Sequence, residues 1–162
     1  MKFAAHLVVT AKGDVLPKGI VELDKSGVIL EITANENGLR EQAGMEFHSG
    51  IICPAFPNLS SLITQEELFG RLPELKPFER YRPASSQDPK FSFNWMKNIQ
   101  IHEPDSSLVE LIALFTARTA SVLGLNEAGT LEVGKRPGLV VLSGIDYSKL
   151  RLSEDSRLKK LI

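Results

Sequence analysis

Gly50-Ile51-Ile52-Cys53-Pro54-Ala55-Phe56-Pro57-Asn58-Leu59-Ser60-Ser61-Leu62 is the stretch on which the fold turns. Met45 to Ile52 has the apolar, β-branched character of a strand, and Pro54 and Pro57, which lack a backbone donor, bring it to a close. Working back from it, Phe3 to Thr10 is apolar and β-branched, Lys12-Gly13-Asp14 has turn composition, and Gly19 to Asp24 alternates apolar and polar with period two. Asp24-Lys25-Ser26-Gly27 closes a tight reversal into Val28 to Ile32, so the N-terminal third reads as a β-meander. Asn35 to Gly44 is polar and reads as a loop with at most one helical turn.

Forward of the junction the pattern changes. Thr64-Gln65-Glu66-Glu67 matches a capping box and predicts a short helix through about Leu72. The segment from Leu72 to Pro89 holds four prolines and reads as an irregular connection. Phe91 to Ile99 carries aromatic side chains too apolar for a free linker, so it should pack onto the body. After Asp105-Ser106-Ser107, a helix-start composition, Leu108, Leu111, Ile112, Phe115, Thr119, Val122 and Leu123 recur at three- and four-residue spacing up to Gly124, predicting one amphipathic helix. Gly129 and Gly134 permit reversals, and Leu139 to Leu142 reads as a buried strand rejoining the N-terminal sheet. Asp146 to Ile162 is expected to give a strand and then a short helix from Ser153.

Composition narrows the function. The 162 residues, 43% of them hydrophobic, suffice for one domain with a core that needs no disulfide or metal. A net charge of -1, from 19 basic and 20 acidic residues, gives no electrostatic reason to expect nucleic acid or an anionic membrane. Cys53 is the single cysteine, which excludes an internal disulfide; it is flanked by apolar residues and reads as a buried, inert thiol. No apolar run approaches the ~20 residues of a membrane span, and the N-terminus has no signal-peptide pattern, so a cytoplasmic location is expected.

Two parts of the chain resemble the metal-dependent amidohydrolases. Gly50-Ile51-Ile52-x-Pro54-x-Phe56-x-Asn58 is similar to the junction at which, in that family, a β-sandwich hands the chain to a TIM barrel. Gly129-x-Leu131-x-x-Gly134-Lys135-x-x-x-Leu139-Val140-Val141-Leu142, following a helix that ends in Leu123-Gly124, is similar to the family's closing signature. The resemblance covers residues 3–57 and 105–162. It implies an α+β fold, mainly β, in which N- and C-terminal strands form one composite β-sandwich (residues 1–57 and 105–162) within a single domain. The insert 58–104 replaces the barrel, since a TIM barrel takes about 250 residues and fewer than 50 separate Pro57 from Pro104.

In the family the junction continues as His-x-His, whose imidazoles bind the catalytic metal. Here those positions hold Ser60 and Leu62, a poor ligand and a non-ligand for zinc or iron. His6, His48 and His102 share no metal-ligand spacing. His102, Glu103 and Asp105 could offer an imidazole and two carboxylates, although Pro104 splays them and Asp105 suits a helix cap. Ser60-Ser61 lacks a nucleophile elbow, Gly134-Lys135 lacks the upstream glycine of a phosphate loop, and Arg80-Tyr81-Arg82 reads as a solvated loop rather than a base-stacking site. No cofactor is expected. Removing a barrel would uncover apolar surface, for which Phe78, Tyr81, Phe91, Phe93 and Trp95 are the candidate cover or interaction surface, with self-association or another protein as partner. The sequence thus favours a non-catalytic binding or assembly module. The other reading is a hydrolase of carbon-nitrogen or carbon-chloride bonds whose metal ligands come from a partner.

Overall fold

A computed structural model describes residues 1–38, 40–59 and 64–162, the side chain of Gln65 apart. It is a mixed α+β fold. Its seven strands among the described residues are β1 (Lys2–Val9), β2 (Val15–Pro17), β3 (Ile20–Leu23), β4 (Ile29–Thr33), β5 (Met45–Pro54), β6 (Leu139–Ser143) and β7 (Arg157–Lys160). They form one mixed sheet in the order β4-β3-β1-β5-β6-β7, with β2 on the far half of β1. β5 runs parallel to β1 and antiparallel to β6, so it is the seam between the N-terminal and C-terminal strands.

The sheet rolls up. Ile29 exchanges both backbone bonds with the segment before β6, its amide to the Lys135 carbonyl at 2.9 Å and its carbonyl to the Gly134 amide at 2.8 Å. The Leu131 amide bonds the Thr10 carbonyl at 2.9 Å. The turn at Gly27 lies against Arg136 and Ile162, which brings the two ends of the strand order together. The interior of the roll is a core of Phe3, Ala5, Val8, Val21, Leu23, Ile29, Ile52, Leu131, Leu139 and Val141. That arrangement explains the closing signature: Leu131 plugs the roll while the backbone of Gly134 and Lys135 closes its edge.

The opposite face is covered by helices: α1 (Gln65–Arg71), a 3₁₀ helix (Pro73–Tyr81), α2 (Phe91–His102), α3 (Leu108–Ala113), a π turn (Leu114–Arg118) and α4 (Thr119–Val122). Alternation along the strands feeds both faces. Ile52, Leu139 and Val141 enter the roll; Ile51, Cys53, Val140 and Leu142 face the helices. This second core is centred on Trp95, with Leu72, Leu75, Phe91, Met96, Ile99, Ile112 and Phe115 around it.

Local chemistry explains the helix ends. Thr64 caps α1 by accepting from the Glu67 amide at 3.4 Å, and Ser107 caps α3 by accepting from Glu110 at 3.2 Å. The expected helix over 108–123 is continuous but contains the π turn. There the Thr116 hydroxyl donates to the Ile112 carbonyl at 2.5 Å and the Thr119 hydroxyl to Leu114 at 2.9 Å, while the backbone of Gly129 packs on the same turn. A Cβ at Gly129 would lie 2.6 Å from Ala120 Cβ and 2.8 Å from the Thr116 carbonyl oxygen, so the glycine is required by close approach.

Two expectations are corrected. The proline-bearing segment after Leu72 is a 3₁₀ helix over Pro73–Tyr81: Pro73 stands in its first turn, where no donor is needed, and Leu75 is buried. The C-terminal helix expected from Ser153 is absent among the described residues. Ser153 and Ser156 close a turn, the buried Ser156 hydroxyl donates to the Gly144 carbonyl at 2.8 Å, and the chain returns as β7 beside β6. Pairing with β6 satisfies a backbone whose Arg157, Lys159 and Lys160 side chains stay in solvent, a usual way of blunting an edge strand.

Gln100 fastens the helical layer to the C-terminal segment. It is fully buried; its amide group donates to the Ser106 carbonyl at 2.8 Å and hydroxyl at 2.9 Å, and its carbonyl accepts from the Leu152 amide at 3.1 Å. Gln100→Leu strips the buried Leu152 amide of its acceptor and is expected to cost about 1–3 kcal/mol. A denaturant titration showing no change in midpoint would contradict this.

Candidate functional site

The place where chemistry would be expected is the end of β5, from Pro54 to Asn58. Ser60 and Leu62, at the His-x-His positions of the resemblance, lie outside the described residues. What surrounds the junction is packed apolar structure. Cys53 is fully buried and burial pushes its thiol far up, so it stays protonated and unreactive. Trp95, fully buried, donates its indole N–H to the Phe78 carbonyl at 3.0 Å and meets Phe69, Phe91 and Phe115 at ring-centroid distances of 6.4, 5.7 and 5.6 Å.

Of the five aromatics expected at an interaction surface, Phe91, Phe93 and Trp95 are buried within the chain's own core. Phe78 and Tyr81 are half-buried beside it. Arg82 is not a free base-stacking group: its guanidinium lies over Phe91 and Trp95, 5.7 and 5.9 Å from their centroids. Arg80 lies over Tyr81 at 5.9 Å.

His102, Glu103 and Asp105 do not converge. No group of three or more His, Cys, Asp or Glu side chains that could hold a metal is present among the described residues. His102 stacks at a tilt against Tyr81, with centroids 5.2 Å apart, and the Tyr81 hydroxyl reaches Glu103 Oε1 at 3.5 Å. Ser107, rather than Asp105, caps the following helix. The other histidines are on the sheet. His48 Nε2 lies 2.9 Å from Glu46 Oε1, a close contact off the hydrogen-bonding direction. His6 Nδ1 is 3.1 Å from the Tyr147 hydroxyl, and its ring meets Phe47 and Tyr147 edge-on at 5.2 Å each, an exposed trio that sequence spacing alone could not assemble.

A dense polar constellation among the described residues holds the closing signature in place. Glu132 accepts from Lys12 at 2.8 Å and from the Thr130 hydroxyl at 2.6 Å, and also pairs with Lys135, which donates to Thr130 at 3.2 Å. These donors, Lys12 foremost and then Lys135 and Thr130, hold the Glu132 carboxyl down at about 2 against its ordinary 4.5. A carboxyl lowered in the folded state stabilises the fold fully above its unfolded value near 4.5, and the contribution is lost as pH falls from there towards 2. Glu132→Gln should therefore lose stability relative to wild type at pH 6, and the difference should be much smaller at pH 2.5. Denaturation midpoints at the two pH values check this; an equal difference at both would contradict it.

The arrangement is an α+β fold whose polar cluster serves the roll and whose helical layer packs on the sheet through the Trp95-centred core. No helix among the described residues is long and apolar enough to cross a membrane. No family model and no curated protein matches the chain. Among solved structures, N-acetyl-D-glucosamine-6-phosphate deacetylase from Mycobacterium smegmatis is similar over 80% of this chain, at 14% identity and a TM-score of 0.30. This chain spans 45% of that one, and a likeness of this size defines neither a family nor an activity.

Proposed function

We propose that the chain is a non-catalytic binding or assembly module built on an amidohydrolase-like sandwich. The observation that carries this reading is the Trp95-centred core, which fills the helical side of the β5 junction with the chain's own side chains. A hydrolase of the kind the sequence resembles needs a metal-activated water in an open cleft at this point. Ser60 and Leu62 supply no ligand pair, and His102, Glu103 and Asp105 make no cluster. The module's partner is either a second copy of the chain or another protein.

The test uses untagged protein incubated with zinc, iron and manganese, desalted, and assayed for metal by elemental analysis, alongside light scattering for mass. The reading expects less than a tenth of a metal ion per chain on the order set by adventitious binding. One tightly held ion per chain would overturn it and return the search for ligands to the three histidines.

A further inference from the structure

We propose that two copies of the chain pair through the free half of β5, antiparallel about a two-fold axis at Phe47, so that one sheet continues across the dimer. The inference deepens the module reading by naming its partner, and it rests on that reading.

The two sides of β5 are unequally used. On one side it pairs with β1 from Met45 onward, whereas on the other its pairing with β6 begins only at Ile51. On that second side the backbone of residues 46–49 bonds to no described group. Such an edge of unpaired amides and carbonyls is a template for another strand, and proteins commonly blunt it with lysine or proline. Met45-Glu46-Phe47-His48-Ser49 contains neither. The side chains of this edge carry a second signal. Alternation puts Glu46 and His48 on the roll side, where the His48 ring lies 6.1 Å from that of Phe3, and Phe47 on the other side, against His6. The His48 side chain is only 10% exposed, yet its Nε2 is buried without a hydrogen-bond partner among the described residues. Buried polar atoms are ordinarily satisfied, so this one points to a group from outside the chain.

A second copy supplies that group. In an antiparallel pair centred on Phe47, Phe47 stands opposite its counterpart, Glu46 opposite the second copy's His48, and His48 opposite the second copy's Glu46. Directly opposite side chains have Cβ atoms about 4.5–5.5 Å apart, within reach of an imidazole N–H donating to a carboxylate, and the two-fold makes both bonds at once. The exposed Glu46 side chain turns away from its own His48 to make them. An unrelated strand would need a base opposite Glu46 and an acid opposite His48, and the chain's own β5 holds them in that register. An axis perpendicular to the sheet keeps each face on its own side. Phe47 and Tyr147, 47% and 45% exposed, with His6 between them, then join their counterparts in one aromatic patch on the outer face.

Sedimentation velocity on the full chain from about 10 μM to 1 mM, a range that resolves weak pairs, should show the mass doubling with concentration. Phe47→Lys and Phe47→Glu each set like charges opposite one another at an exposed position, and each should weaken association by about tenfold or more. Mixing the two variants should restore it, because opposite charges then face each other. Phe47→Cys reads the register without relying on affinity. Opposite residues of an antiparallel pair have Cα atoms about 4.5–5.5 Å apart, which a disulfide spans, so mild oxidation should give a covalent dimer. Val133→Cys, at an exposed position outside β5, should cross-link about tenfold more slowly or less, and the buried Cys53 does not compete. A monomer at every concentration, a dimer untouched by the charged variants, a mixture that stays apart, or equal cross-linking of the two cysteine variants would each overturn the proposal. A monomer throughout would leave the module reading standing with another protein's strand as partner. A metal ion held by each chain would instead overturn that reading, and it is measured separately from mass and cross-linking.

Discussion

Gly50→Ala is expected to destabilise the protein by about 2–6 kcal/mol, the largest effect of any single methyl addition in the sheet. Two costs combine. Gly50 has a φ of +148°, a region that side-chain-bearing residues avoid, and holding alanine there costs about 1–3 kcal/mol. The added Cβ would also fall inside the van der Waals radius of the Leu142 carbonyl oxygen and lie 3.0 Å from both the Leu142 carbonyl carbon and Val141 Cγ2. Overpacking of that kind costs about 1–3 kcal/mol, and the atoms that must give way are backbone. The clash sits beside the β5–β6 ladder, whose register pairs Ile51 with Leu142 and Ile52 with Val141, so the seam between the two halves of the chain is what loosens. Gly44→Ala is the control. Gly44 also has a positive φ, +74°, but a Cβ there meets nothing within 4 Å, so only the conformational part of the cost remains. Equal denaturation midpoints for the two variants would show that the close approach of β6 to Gly50 is not what makes the glycine necessary.

Trp95→Ala comes next, with an expected loss of about 3–5 kcal/mol. The indole is fully buried, touches three other rings and holds the 3₁₀ helix through its bond to the Phe78 carbonyl. Deleting it opens a cavity between α2, the 3₁₀ helix and the π turn that the neighbouring helices can close only in part. Trp95→Phe separates the parts of that loss: it keeps most of the apolar contact and gives up the hydrogen bond, for about 0.5–1.5 kcal/mol from the bond itself. If the alanine variant lost less than 1 kcal/mol by denaturant titration, the helical layer would not be the packed cover described above.

The strands were legible where burial follows a simple period. Phe3 to Thr10, Gly19 to Asp24 and Met45 to Pro54 became β1, β3 and β5, and the Asp24 turn formed with its carboxylate accepting from the Ser26 and Val28 amides at 2.7 and 3.0 Å. The junction of both chain ends in one sheet was legible because Leu139 to Leu142 is apolar on every residue, as a strand buried on two faces must be. The 3₁₀ helix was not, because prolines argue against an α-helix and say little about a 3₁₀ turn that places them at its start and on its exposed side. β7 was missed because three of its four residues are charged, and its pairing depends on a turn held by the buried Ser156 hydroxyl.

The candidate site shows a different limit. Sequence spacing reads local motifs, such as Ser60 and Leu62 in place of His-x-His, and it cannot bring together residues far apart in the chain. The His6, Phe47 and Tyr147 trio and the linkage of Lys12 to Glu132 span 141 and 120 positions, and both arise where the fold brings turns and loops against the sheet rather than from any local motif.

The measurement that tests the sealed helical face most directly is unfolding followed by two probes at once. Trp95 is the only tryptophan, so its fluorescence reports the helical layer, while far-ultraviolet circular dichroism reports the sheet and helices together. If the helical layer and the rolled sheet unfold as one cooperative unit, the two transitions coincide with the same midpoint and slope. A tryptophan transition complete at lower denaturant, with the sheet signal still intact, would show a cover that leaves the β5 junction open. That result would contradict the packed helical cover on which the proposed module rests.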